Sequence, residues 1–363
     1  MAGPDIVLRM PASTNNNNDK SKEEEYEKWR KLSLMQKWKN HYHGGSSNPM
    51  LNMITDRLCI TYFLFIATTE LYVALSYVIP WYYEKYNPTI QYSLKVLSVF
   101  VFIQSIANWL CLKFTRTSLE KTDDRPDPAN RRQQTPETEH ISMCMHDNED
   151  IQPLPPPSAM SSSAPGVIKA RPTFSWDRCT ICQLDMPPRT HHCKSCNKCI
   201  LKRDHHCYMT GICVGFWNQR YFVIMNFYIT IASFYGLICI YSYVRHHTPE
   251  DWRWTDYFLP NTIWKWLWGQ TELQIMYMTF HLYTLWWTGA MAIGFFIMQL
   301  VIIYQGKTLR EFRKNLRIKC TATPAENFRS VFGSFWGINF LFPAQLIFKQ
   351  PGDGKHWSNI RTF

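Results

Sequence analysis

Residues 178–213 read RCTICQLDMPPRTHHCKSCNKCILKRDHHCYMTGIC, and seven of the chain's twelve cysteines lie between Cys179 and Cys213. The stretch contains a direct repeat. Cys179, Cys182, His192 and Cys199 are spaced C-x2-C-x9-H-x6-C, and the same spacing recurs in Cys193, Cys196, His206 and Cys213. Each set offers three thiolates and one imidazole, a donor set suited to structural Zn²⁺. The x2 spacing lets two sulfurs of one tight turn meet a single ion. Because the sets overlap, the chain must weave between two metals, and their binding would supply folding free energy to a segment with little apolar core. A disulfide framework fits less well, because histidines are interleaved with the cysteines.

Filling both sets leaves Cys207, His191 and His205 over. Cys207 closes the run Asp204-His205-His206-Cys207. A thiol is a good acyl acceptor and a thioester a good acyl donor, and the attacking form is the thiolate. His205 is placed to take the proton, with Asp204 orienting its ring. The alternative is that Cys207 ligates metal in another register. His191 reads as structural. Arg189, Lys194, Lys198, Lys202 and Arg203 flank the site in sequence. Such groups suit phosphates, although for any one of them an ordinary surface charge is the simpler reading.

Outward from this stretch, long apolar runs alternate with polar ones. Four runs, 58–80, 94–114, 221–244 and 275–304, are long enough to span a bilayer, which takes about 20 residues. The second carries Lys95 and Asn108 and is the weakest by itself. The fold class expected is therefore an α-helical polytopic membrane protein, with four transmembrane helices and a cytoplasmic zinc-binding cysteine-rich domain between helices 2 and 3. Lys and Arg number nine in residues 1–57, fourteen in 115–220 and ten in 305–363, against one in 81–93 and three in 245–274. The positive-inside rule then places both termini and the cysteine-rich segment in the cytoplasm. The net charge of +11 is read as favouring lipid and not nucleic acid, because the basic residues flank the apolar runs. Trp252, Trp254, Trp264, Trp266 and Trp268 place the 245–274 loop along the interface.

The organisation expected is a cytoplasmic N-terminal region, 1–57; helices 1 and 2, 58–114; a linker, 115–172; the cysteine-rich domain, 173–220; helices 3 and 4 with their loop, 221–304; and a C-terminal region, 305–363. Residues 11–24 and 122–172 have the composition of disorder. Tyr26, Trp29, Leu32 and Met35 recur at near-helical spacing, as an interfacial or a solvated helix. Segment 1–57 is polar, with neither a signal-peptide pattern nor the myristoylation pattern. Cys59, Cys111 and Cys239 read as packing residues, and Cys320 as a surface cysteine that acylation can reach.

The run from Arg178 to Cys207, followed by CVGFWNQRYF, resembles the DHHC family of protein S-acyltransferases. The resemblance extends from about 58 to 333, outside the linker. It implies four membrane helices and a two-step reaction. Cys207 would take an acyl chain from acyl-CoA and pass it to a substrate cysteine, with His205 as base held by Asp204, two structural zinc ions and an acyl cavity between the helices. Thr308-Leu309-Arg310-Glu311 matches the family's Thr-Thr-x-Glu except at Leu309, and Asn327 matches its asparagine before Val-Phe-Gly, so Thr308, Glu311 and Asn327 are expected to support the site. Two departures stand out. Tyr208-Met209 replaces the Pro-Trp that follows the cysteine, which alters packing at the acyl-CoA carbonyl end. Leu309 lacks a hydroxyl, which predicts a weaker hold on Asp204.

The partners implied are membrane lipid and proteins with a cysteine near the membrane, with an accessory subunit or oligomer compatible. The location implied is the endomembrane system (ER or Golgi) or the plasma membrane. A second reading is a weakly active or inactive member acting as a zinc-stabilised scaffold or partner subunit. A third, a zinc-containing ubiquitin ligase, calls for alternating ligand pairs where this sequence has a direct repeat.

Overall fold

The computed structural model describes residues 49–84, 87–120, 176–316, 318–334, 337–338, 350–357 and 359–362. The segments 11–24 and 122–172 and the helix expected around Tyr26–Met35 lie outside them. Four helices are long and apolar enough to cross a membrane. The first is α1 (Pro49–Val73), which continues through a π-helical turn, Ala74–Val78, into a last turn, Ile79–Tyr82. The others are α2 (Pro88–Phe114), α3 (Gln219–His247) and α5 (Leu273–Tyr304). Each starts before its apolar run, because backbone bonding and caps, not hydropathy, set helix ends. At α2, Pro88 occupies the first turn, where its missing N–H costs nothing, and the Asn87 side chain accepts from Thr89 N at 2.9 Å.

Several polar groups inside these helices find partners, as an apolar medium favours. The Thr68 and Thr69 hydroxyls donate to Leu64 O and Phe65 O, and buried Asn108 donates to Gln104 O. Glu70 accepts from His281 Nδ1 and Thr284 Oγ1 of α5, both at 2.8 Å. α3 packs most extensively on α5 and next on α2. Small residues permit the close approach of α3 and α5. A Cβ on Gly289 would sit 2.9 Å from Ser233 Cβ, and one on Gly236 would sit 2.9 Å from Leu285 Cδ1.

Between α2 and α3 lie three antiparallel hairpins: β1 (Asp177–Arg178) with β2 (Asp185–Met186), β3 (His191–Cys193) with β4 (Lys198–Ile200), and β5 (His205–Cys207) with β6 (Ile212–Val214). Their turns keep the interval of the sequence repeat. Gln183, Asn197 and Gly211 all have positive φ, at 56°, 50° and 68°. Asn218, at the start of α3, ties the layers together: its side chain accepts from Gly215 N and donates to Cys213 O and Leu112 O. Beyond α5 come α6 (Leu309–Arg313), β7 (Ile318–Cys320), α7 (Pro324–Phe332) and β8 (Ile360–Thr362), which pairs with β7. The loop from α3 to α5 holds α4 (Leu259–Leu267), where Trp264 and Leu267 are exposed, as is nearby Trp268.

Candidate acyl-transfer and metal site

Each four-residue set from the repeat comes together, with all ligand atoms of a set within 4.8 Å of one another. His192 presents Nδ1 to Cys179, Cys182 and Cys199 at 3.8, 3.3 and 4.0 Å. His206 presents Nδ1 to Cys193, Cys196 and Cys213 at 3.9, 3.3 and 3.8 Å. Zn–S bonds near 2.3 Å and Zn–N bonds near 2.0 Å require tetrahedral edges of about 3.5–3.8 Å. The separations and the donor chemistry therefore fit zinc at both clusters. Among the described residues these are the two groups able to hold a metal.

Cys207 joins neither cluster, and the hairpin repeat gives a reason. Cys179, Cys193 and Cys207 each begin a turn; an N–H to C=O bond closes the first, Gln183 N to Cys179 O at 2.8 Å, and the third, Gly211 N to Cys207 O at 2.9 Å. The second cysteine of the turn is Cys182 in the first unit and Cys196 in the second. In the third that position is Thr210, which is fully buried. The third turn thus keeps the backbone of a metal knuckle and loses one of its sulfurs.

The neighbourhood of Cys207 is apolar on one side and charged on the other. It is 6% exposed and packs in a cluster with Phe63 of α1, Trp109 and Leu112 of α2, and Tyr221, Phe222 and Met225 of α3. On the other side His205 Nδ1 lies 2.8 Å from Asp204 Oδ2, and Phe222 meets the His205 ring edge-to-face at 4.9 Å. Burial by itself would lower the His205 pKa, but the hydrogen bond to Asp204 and the adjacent Cys207 push it up to about 9. Burial would raise the Cys207 thiol, but hydrogen bonding and charge from His205 reverse this, and the thiol falls below its usual value. Asp204 likewise stays below the usual carboxylate range, because its bonds outweigh desolvation. The trio thus favours thiolate, imidazolium and carboxylate together.

Asp204 is held firmly, contrary to the expectation drawn from Leu309. The Leu309 backbone N–H donates to Asp204 Oδ1, and Gln299 Nε2 of α5 donates to Asp204 Oδ2 at 2.7 Å. The hold at position 309 is a main-chain one that needs no hydroxyl. Thr308 and Glu311 form a reciprocal cap at the start of α6: Thr308 N donates to Glu311 Oε2 at 2.7 Å, and Glu311 N donates to Thr308 Oγ1 at 3.2 Å. This cap places residue 309 against Asp204. Asn327 donates to Tyr304 O at the end of α5 and accepts from Cys320, so it braces the turn after α5 and does not touch the trio.

Of the five basic residues that flank the site in sequence, Arg189 and Lys202 are engaged inside the protein. Arg189 is buried; its Nε and Nη2 donate to Glu311 Oε1 and Oε2 at 2.8 and 2.7 Å, and Nη2 also donates to Gly306 O. The Arg189 charge holds the Glu311 carboxyl below its ordinary range despite burial. Lys202 is buried, donates to Gln219 Oε1 at 3.0 Å and is pushed down to about 7 by desolvation. Lys194 and Lys198 are exposed and Arg203 is half-buried. His191 is half-buried, and burial with nearby cations holds it neutral, down to about 3.

The sequence alone singles out none of Gln219, Gln299 and Trp109. Lys202, Gln219 and Gln299 form a chain of hydrogen bonds ending on Asp204. Trp109 stacks on Phe63 and donates to Met209 O at 2.9 Å, so an indole reaches the Tyr208-Met209 turn from α2. Gln299 did leave a signal, a polar residue inside an apolar run. Trp109, among many tryptophans, left none.

The family profile described as DHHC palmitoyltransferase matches residues 173–316. Palmitoyltransferase ZDHHC22 of Danio rerio is 30% identical over 185 residues, covering 48% of this chain and 67% of that protein. The Mus musculus protein of the same name is also 30% identical, with 43% and 60% covered. Palmitoyltransferase ZDHHC3 of Homo sapiens is 32% identical over 180 residues, 49% of this chain and 55% of the relative. The chain thus spans from about half to two thirds of the length of these curated relatives.

Proposed function

The chain belongs to the DHHC palmitoyltransferase family, and from that premise we propose that it moves a long-chain acyl group from acyl-CoA to Cys207 and then to cysteine thiols of other proteins. The observation that carries this reading is the placement of Cys207, the cysteine left out of both metal clusters, beside a His205 whose Nδ1 lies 2.8 Å from Asp204 Oδ2. In the first step the Cys207 thiolate attacks the acyl carbonyl of acyl-CoA. The C–S bond to coenzyme A breaks as the bond to Cys207 forms, and the departing thiolate takes the proton from His205. In the second, His205 takes the proton of a substrate thiol, which attacks the Cys207 thioester and releases Cys207 as thiolate. Asp204 fixes the ring and balances its charge throughout.

The apolar residues of α1, α2 and α3 around Cys207 suit an acyl chain, and exposed Lys194 and Lys198 suit the phosphates of coenzyme A. Two zinc ions, when bound, would fix the hairpins and so the site. Cys179, Cys182, His192 and Cys199 would hold one, and Cys193, Cys196, His206 and Cys213 the other. Substrates are proteins whose cysteines lie near the membrane, and nucleic acid is not a partner. The basic bias supports a reading in which both termini face the cytoplasm, and the family supports a membrane of the endomembrane system or the plasma membrane. Tyr208-Met209 in place of Pro-Trp favours the second reading, a weakly active member serving as scaffold or partner subunit.

The test is covalent labelling. Purified wild type incubated with a traceable palmitoyl-CoA is expected to carry hydroxylamine-sensitive label, absent from Cys207→Ala at unchanged zinc content. Label persisting in Cys207→Ala would move the thioester to another cysteine. No label on either, with both metals bound, would leave the scaffold reading.

A further inference from the structure

Asp56 is an acid near the start of α1, two residues before the apolar run 58–80. It sits in α1, 150 positions before His206, yet its Oδ1 lies 3.1 Å from His206 Nε2. The two side chains are 17% and 7% exposed. His206 turns its other nitrogen, Nδ1, to the three thiols of the second cluster. A neutral imidazole that ligates through Nδ1 carries its proton on Nε2, so Nε2–H donates to the Asp56 carboxylate. A carboxylate on the far nitrogen of a ligating histidine fixes the tautomer and the ring plane and strengthens the ligand.

The contact belongs to a seat for the whole β5–β6 turn. Gly211 lies directly on α1: a Cβ there would be 3.3 Å from Ile60 Cδ1 and 3.5 Å from Asp56 Cβ. From α2, Trp109 donates to Met209 O and Lys113 Nζ donates to Thr210 O at 3.0 Å. Of these contacts, only Asp56 reaches a metal-ligating side chain, and that side chain directly precedes Cys207.

We infer that Asp56 is a positioning residue, the outer partner of His206 in the second metal site, through which the first membrane helix orients the hairpin carrying Cys207. The inference rests on zinc occupying that cluster. It makes the Cys193–Cys196–His206–Cys213 site depend on α1 for its ligand geometry.

Zinc release from the full-length protein in detergent tests this. Metal per chain is counted first, and release to a chromogenic chelator is then followed for wild type, Asp56→Asn, Asp56→Ala and Lys113→Met. Asp56→Ala is expected to speed release of one of two zincs by about 10- to 100-fold. Asp56→Asn, which keeps a carbonyl acceptor at the same place, should recover most of that loss. Lys113→Met, which frees the same turn without touching a ligand, should release both metals at the wild-type rates. Wild-type rates in Asp56→Ala would overturn the inference. So would an equal acceleration in Lys113→Met, which would make the contact mere packing. A wild type purified without zinc would remove the metal reading itself, a distinct failure visible before any variant is compared.

Discussion

Thr190-His191-His192-Cys193 and Asp204-His205-His206-Cys207 are matching runs of the repeat and occupy equivalent places in two hairpins of identical register, with His192 opposite Cys199 and His206 opposite Cys213. In both, the second histidine turns Nδ1 to three sulfurs. Their first histidines are driven in opposite directions, His191 down to about 3 and His205 up to about 9. Burial lowers both. The difference lies in the next charges: His191 faces Arg310, Arg203, Lys314 and Arg189, whereas His205 faces Asp204 and Cys207. One hairpin backbone therefore supports either an inert neutral ring or a charged pair. The choice is made by residue 190 or 204 and by which elements pack outside the hairpin.

The comparison is broken most severely by writing the first unit into the second. Asp204→Thr removes the partner of His205 and leaves the metal ligands untouched. Labelling at Cys207 by palmitoyl-CoA should fall by about 10²-fold or more at unchanged zinc content. Next in size is the charge pair that keeps the cations near His191 in place. Glu311→Ala leaves the buried Arg189 charge without its carboxylate, keeping only the bond to Gly306 O, and should cost about 3–5 kcal/mol, read as a lowered thermal midpoint in detergent.

A smaller effect separates the two histidines by pH. Because His205 is raised to about 9 in the folded protein, its pairing stabilises fully below the ordinary value near 6.5, and that contribution is lost as pH rises through about 9. Buried Lys202, pushed down to about 7, acts with the opposite sign over the same range, so the His205 contribution is read as a difference: the advantage in thermal midpoint of the wild type over Asp204→Thr should shrink between about pH 7 and 9. A difference that stays constant across that range would place the pairing energy elsewhere. The smallest effect is expected from His191→Gln, which alters a neutral ring remote from the reaction and should leave labelling within about twofold of wild type. A loss as large as that of Asp204→Thr would give His191 a part in the chemistry.

Much of this was legible in the sequence, for a physical reason. Ligand spacing is a local property, so the repeat named the eight side chains that meet. Elimination then isolated Cys207, and hydropathy located the four spans. What escaped depends on helices meeting across long separations in the chain. Asp56 on His206, Trp109 on Met209 and Gln299 on Asp204 are contacts between residues 150, 100 and 95 positions apart. Sequence proximity also fails to separate the basic residues: Arg189 and Lys202 lie near Cys207 along the chain, but Glu311 and Gln219 take them into the interior. The Tyr208-Met209 turn carries no tryptophan of its own, and the indole that reaches it, Trp109, comes from α2.

The hydrogen bond from residue 309 to Asp204 has a consequence for how such a site drifts over time. A motif is written in side chains, yet what Asp204 receives at this position is a peptide N–H, delivered by the fold of α6 and its Thr308–Glu311 cap. The letter at 309 can therefore change across lineages without disturbing the acid. Proline is the exception, because it alone has no N–H to give. The mutational constraint falls instead on Thr308 and Glu311, which never touch the histidine they help to charge.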